Sequence, residues 1–153
     1  MTNRVTKPLP INPFGGETYR LTLPNTAVAA KLARDFVTSL LGVSRHHDLV
    51  EDAQVCVSEV VTNAHRHAST PLIRVHVAVN RKRVTVAVAD DGPADPTLLR
   101  ALCAEPEQER GRGLLLVESL ALAWGANTAG ELQPGRKVVW FTLGQPYPNS
   151  GRA

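Results

Sequence analysis

Cysteine is scarce in this chain: Cys56 and Cys103 are the two among 153 residues. Neither belongs to a CxxC pair, which excludes a disulfide-built fold and leaves two thiols suited to helix interiors in a reducing compartment. Long apolar runs are also lacking, and no stretch approaches the ~20 apolar residues of a membrane span. Residues 1–16 carry Arg4 and Lys7 but no apolar segment, and Pro8, Pro10 and Pro13 interrupt them, which argues against a secretory signal. A cytoplasmic protein with no membrane association is expected. The formal net charge is only +3, with pI near 9.2, and the cations are scattered apart from Arg81, Lys82 and Arg83. So small an excess gives no strong case for direct nucleic-acid contact, although a small basic nucleic-acid binder stays open as an alternative.

Several familiar chemistries are missing too. No GxxxxGK[ST] occurs, so there is no Walker loop, and GxSxG and HExxH are absent. His65 and His67 stand two apart on a helical pattern and point about 200° from each other, too divergent to chelate one ion. His46, His47 and His76 lack a partner at ligand spacing.

What is present is an ordinary globular composition, 43% apolar and 20% charged, in a length that fits one domain. Residues 1–16 read as a loose arm, 17–145 as the folded domain and 146–153 as a tail. Within the domain, 18–23 alternates as a strand ended by Pro24. Asn25 is a good N-cap for a helix to about residue 41, with Ala29, Leu32, Ala33, Phe36 and Leu40 on one face and Gly42 as its stop. Asp48 caps a second helix, about 48–68. Segments 72–79 and 84–89 are β-branched runs that form an antiparallel hairpin through Asn80, Arg81, Lys82 and Arg83. Residues 92–112 make a long, proline-containing loop, and 114–124 a third helix ended by Gly125. Residues 136–143 form a last strand after a Pro134-Gly135 turn. The expected class is α+β: a two-layer α/β sandwich with a mixed, mainly antiparallel sheet and helices on one face.

Three short polar motifs punctuate this frame. On a wheel of the second helix, Leu49, Ala53, Cys56, Val57, Val60 and Ala64 fill a stripe about 100° wide. Asn63 falls about 20° and Glu59 about 60° outside it, one turn apart, where a pocket wall would meet the core. Glu59 alone fits a solvated helix face better than a site. Asn63 is harder to explain structurally, because asparagine is a poor helix former, and its amide oxygen is a hard ligand suited to magnesium. A carboxylate one turn away could deprotonate an attacking hydroxyl.

The second motif is Asp90-Asp91-Gly92, at the end of the strand marked by Val84, Val86 and Val88. It is either a plain turn or a purine reader, since an acceptor-only carboxylate suits the adenine amine and opposes the guanine carbonyl. The third is Gly111-Arg112-Gly113 ahead of Leu114, Leu115, Leu116 and Val117. It is either a loop turning into a helix or a set of bare amides facing phosphate. The preceding segment is an acidic loop instead of a strand, so this is not a dinucleotide-binding fingerprint.

Together the three motifs resemble the N, G1 and G2 boxes of the GHKL ATPase superfamily. The string Glu59-Val60-Val61-Thr62-Asn63-Ala64 resembles the anti-sigma factor serine/threonine kinases of bacteria. The resemblance implies a Bergerat ATP-binding fold, ATP and magnesium as cofactors, and a homodimer. It also implies a sigma factor and an anti-anti-sigma protein as partners, the latter phosphorylated on serine. By position it makes Asn63 the magnesium ligand, Glu59 the catalytic base and Asp90 the adenine reader. Gly92, Gly111, Arg112, Gly113 and Leu114 become nucleotide contacts, and 93–110 becomes the lid. The family's G1 box continues to a glycine two residues after Gly92, where this chain has Ala94 behind Pro93. A non-catalytic regulator that uses ATP only to shape a partner-holding surface is the alternative.

Overall fold

A computed structural model describes residues 16–67, 70–93, 109–128 and 136–146 of the chain. Residues 1–15 of the expected arm, 94–108 of the expected lid and 147–153 of the expected tail, and with them Ala94, Cys103 and the Pro134-Gly135 turn, lie outside the described residues.

Strand β1 (Glu17–Pro24) is followed by helix α1 (Ala29–Val43), a single 3-10 turn (His47–Leu49) and helix α2 (Val50–His67). Then come β2 (Leu72–Val79), β3 (Arg83–Pro93), helix α3 (Glu109–Leu120), β4 (Ala123–Thr128) and β5 (Arg136–Gly144). The sheet order is β1-β2-β3-β5-β4, and every pairing is antiparallel. The expected mixed sheet is therefore antiparallel throughout the described residues.

Alternation divides each strand between two faces. Leu23 of β1, Ile73, Val75 and Val77 of β2, Val84, Val86 and Val88 of β3, and Val139, Phe141 and Leu143 of β5 all enter one core with the helices. From the helices, Ala33, Val37 and Leu41 of α1, Val57, Val60 and Val61 of α2, and Leu114 and Val117 of α3 complete it. The three helices among the described residues thus lie on one side of the sheet. On the other side Ala87, Ala89, Val138 and Trp140 form a smaller apolar cluster. No helix among the described residues is long and apolar enough to cross a membrane.

Five local expectations need correction. Asn25 does not cap α1, which starts at Ala29 behind Val28. Instead, Asn25 Nδ2 donates to the Thr70 carbonyl and its Oδ1 pairs with His65 Nδ1 at 2.6 Å, tying the α2 end to the β1–α1 link. The buried stripe of α1 is Ala29, Ala33, Val37 and Leu41, while Leu32 is 45% exposed. Gly42 lies inside the helix, which ends where Ser44 turns its hydroxyl onto the Leu40 carbonyl. The third helix closes at Leu120, and Trp124 and Gly125 belong to β4. Asp48 sits in the 3-10 turn ahead of α2, which starts two residues later at Val50.

Candidate nucleotide site

Helix α2 packs on β3, β5 and α3 at once, so the elements carrying the three motifs meet at it. The chain direction fixes which end. After His67, α2 leads within five residues into Leu72, and Ile73 is the register partner of Asp90. The last turns of α2, the start of β2 and the end of β3 therefore share one end of the sheet. Lys137, near the start of β5, faces Thr128 of β4 at that same end. A two-residue link from Leu120 to Ala123 folds β4 back along α3, which turns the start of α3 toward this end as well.

Asn63 is 5% exposed, deeper than the rim its wheel position predicts. Its Nδ2 is buried with no hydrogen-bond partner among the described residues. An orphaned amide in a core costs stability of about 1–3 kcal/mol, so its presence there points to a ligand. A flip about the Cγ bond exchanges amide nitrogen and oxygen, so the same position can offer an oxygen to a cation. Glu59, one turn earlier, is half-buried. Its charge, after burial itself and Asp52, contributes to raising the nearby Cys56 thiol to a pKa of about 12.

Asp90 is 3% exposed and stands on the helix side of β3, in phase with Val84, Val86 and Val88. The ladder between β3 and β5 is regular up to Ala89–Val138, then resumes at Pro93–Arg136. Asp90, Asp91 and Gly92 thus oppose Lys137 alone, a bulge of the kind that re-aims a side chain beside a site. Lys137 Nζ lies 3.5 Å from Asp90 Oδ2, with both side chains at most 5% exposed. Lys137 belongs to none of the three motifs. Its signal was the alternation of β5, which puts it in phase with Val139, Phe141 and Leu143 and so inside the sandwich.

Gly111, Arg112 and Gly113 lie in the first five residues of α3. The first four amides of a helix have no intrahelical partner, a set that includes Gly111 and Arg112 but leaves Gly113 as the fifth. The glycines thus stand within the helix's opening instead of ahead of it. Leu114 is buried in the core. The side chain of Arg112, like those of Asp91 and Pro93, is outside the described set, as is any contact made by Gly92.

A separate hollow of about 680 Å³ is lined by Gly16, Val43, Arg45, Asn80, Arg81 and Lys82. It belongs to the β2–β3 turn, at the opposite end of β3 from Asp90, roughly 20 Å away at ~3.3 Å per strand residue. None of the motif residues lines it.

The profile of the histidine kinase-like ATPase domain matches residues 23–143. The chain belongs to that family, a GHKL-type class of ATP-binding domain, and the two-layer antiparallel architecture agrees with it. No curated protein matches the chain.

Proposed function

We propose that the chain is an ATP-dependent serine/threonine kinase of the anti-sigma type. On this reading it is a cytoplasmic homodimer that sequesters a sigma factor and phosphorylates a serine of an anti-anti-sigma protein. The observation that carries the nucleotide site is the buried, orphaned amide of Asn63 at the sheet end that also holds buried Asp90. The anti-sigma assignment is supported by the Glu59-Val60-Val61-Thr62-Asn63-Ala64 string.

The residues present fit Mg-ATP. Asn63 would hold the metal, Asp90 the adenine amine, Gly92 would let backbone approach the base, and the amides opening α3 would face the phosphates. Magnesium, when bound, neutralises charge developing on the phosphates. Glu59, one turn from Asn63 on α2, takes the proton of the attacking seryl hydroxyl as its oxygen bonds the γ-phosphorus and ADP departs. Correctly placed general bases contribute about 10² to 10⁴ in rate.

Glu59→Gln keeps size and removes the base. Near-normal Mg-ATP affinity is expected, with phosphate transfer to an anti-anti-sigma protein reduced by about 10² to 10⁴. A wild-type protein that binds ATP and a partner but transfers no phosphate would establish the non-catalytic regulator instead.

A further inference from the structure

Lys137 has no part in the chemistry derived above, yet it is 4% exposed and paired with the residue assigned to the purine. Lysine is almost never fully buried. Its pairing with Asp90 is also a poor device for stability, because desolvating two charges costs about what their attraction returns, and apolar replacements of buried pairs are often neutral or stabilising. A ligand that both charges recognise supplies a reason for keeping them there.

We propose that Lys137 is a base-reading residue: its ammonium donates to adenine N1 while the Asp90 carboxylate accepts from the exocyclic amine. The proposal rests on the nucleotide reading of this end of the sheet and adds a second point of recognition to it.

Three observations support it. First, the bulge sets Lys137 opposite Asp90, Asp91 and Gly92 together, so one lysine faces the whole motif and no regular ladder rung intervenes. Second, the 3.5 Å contact is looser than a charge-assisted hydrogen bond, which is usually about 2.7–2.9 Å. The Lys137 ammonium has three protons, so a contact with one carboxylate oxygen does not exhaust it. Third, both groups stand on the helix side of the sheet, the side from which Asn63 approaches.

The chemistry then selects the base. The adenine edge presents an N–H donor at position 6 beside a bare acceptor at N1, the complement of a carboxylate next to an ammonium. Guanine in the same pose turns its carbonyl toward Asp90 and its N1–H toward Lys137, a mismatch at both atoms. Asp90 alone would reject guanine at one atom, and the pair rejects it at two.

The test is calorimetric binding of ATP, 1-deaza-ATP and 7-deaza-ATP in the presence of magnesium. The first analogue replaces N1 by C–H, and the second changes a ring atom away from the proposed contact. The wild type should bind 1-deaza-ATP about 10- to 100-fold more weakly than ATP, the loss of one hydrogen bond to a charged group, and 7-deaza-ATP like ATP. Lys137→Met, checked for folding by circular dichroism, should bind ATP and 1-deaza-ATP alike, whereas Lys137→Gln, which keeps a donor, should still prefer ATP. Equal wild-type affinity for ATP and 1-deaza-ATP would overturn the role of Lys137 and leave the nucleotide site standing. A preference for ATP undiminished in Lys137→Met would also overturn it. Absence of ATP binding by the folded wild type would remove the nucleotide reading itself. The wild-type comparison decides the matter even if Lys137→Met fails to fold.

Discussion

Gly125 and Trp140 are register partners on β4 and β5, and the indole occupies the space a side chain at 125 would need. A Cβ built on Gly125 would stand 2.8 Å from Trp140 Nε1 and 3.0 Å from Cε2 and Cζ2. Trp140 is fully buried, so its ring has little room to retreat. Gly125→Ala should therefore destabilise the fold by about 1–3 kcal/mol, the usual range for overpacking. Urea unfolding should show a lower midpoint with an unchanged m-value, and an unshifted midpoint would mean that the ring can swing aside.

The same pair marks the limit of what the sequence discloses. Glycine signals a helix stop and a close approach in a strand with the same letter, and only Trp140, fifteen residues on, decides between them. Gly125 read as a stop places the helix end at residue 124, four residues beyond Leu120. Asn25 misled for a related reason: its capping chemistry was recognised, but the groups it binds, on Thr70 and His65, are far away in sequence. Periodic segments were legible. The α2 stripe and the 72–79 and 84–89 hairpin follow from spacing alone, because burial enforces 3.6- and 2-residue periods locally. So does the placing of Asn63 and Glu59 beside the core. Lys137 was in principle readable from β5 alternation, but its meaning depends on the bulge opposite it, which no local pattern announces.

His76 lies on the outer face of the sheet, opposite Arg20 of β1. Burial lowers its pKa, and the Arg20 and Arg74 charges lower it further. The folded protein thus favours the neutral ring, while the unfolded chain takes up a proton near the ordinary value of about 6.5. Between the two values the unfolded state binds more protons, so stability rises with pH and falls as pH drops through about 6.5 toward the folded value. Urea titrations at pH 7.5 and 5.5 should show a smaller acid loss in His76→Gln than in the wild type. Identical losses would assign the acid sensitivity to other groups.

Cys56 is fully buried, and its thiol is pushed up to about 12 by burial first and by Asp52 and Glu59 second. The thiolate is the reactive species, so in a Cys103→Ser background a disulfide reagent at pH 8 should modify the native protein at least about 10³-fold more slowly than the urea-unfolded chain. The unfolded thiol also ionises at lower pH than the folded one, and stability should therefore decline as pH rises above about 9. Rapid native labelling would show that α2 opens readily at this position.

Asn63 provides the sharpest test of the metal assignment, because its buried amide is orphaned among the described residues. Two explanations predict different couplings. If the amide ligates magnesium in the Mg-ATP complex, Asn63→Ala should weaken ATP binding strongly when the metal is present and far less in EDTA, since the lost contact is to the ion. If the amide instead shapes α2, both affinities should fall together. Stability offers an independent readout: removing a buried polar group that lacks a partner relieves a desolvation cost of about 1–3 kcal/mol, and alanine is also the better helix former. Asn63→Ala should thus be at least as stable as the wild type without nucleotide, and less stabilised than the wild type when Mg-ATP is added. A variant that loses stability in the nucleotide-free state would show that the amide serves the fold, and the metal assignment would fall.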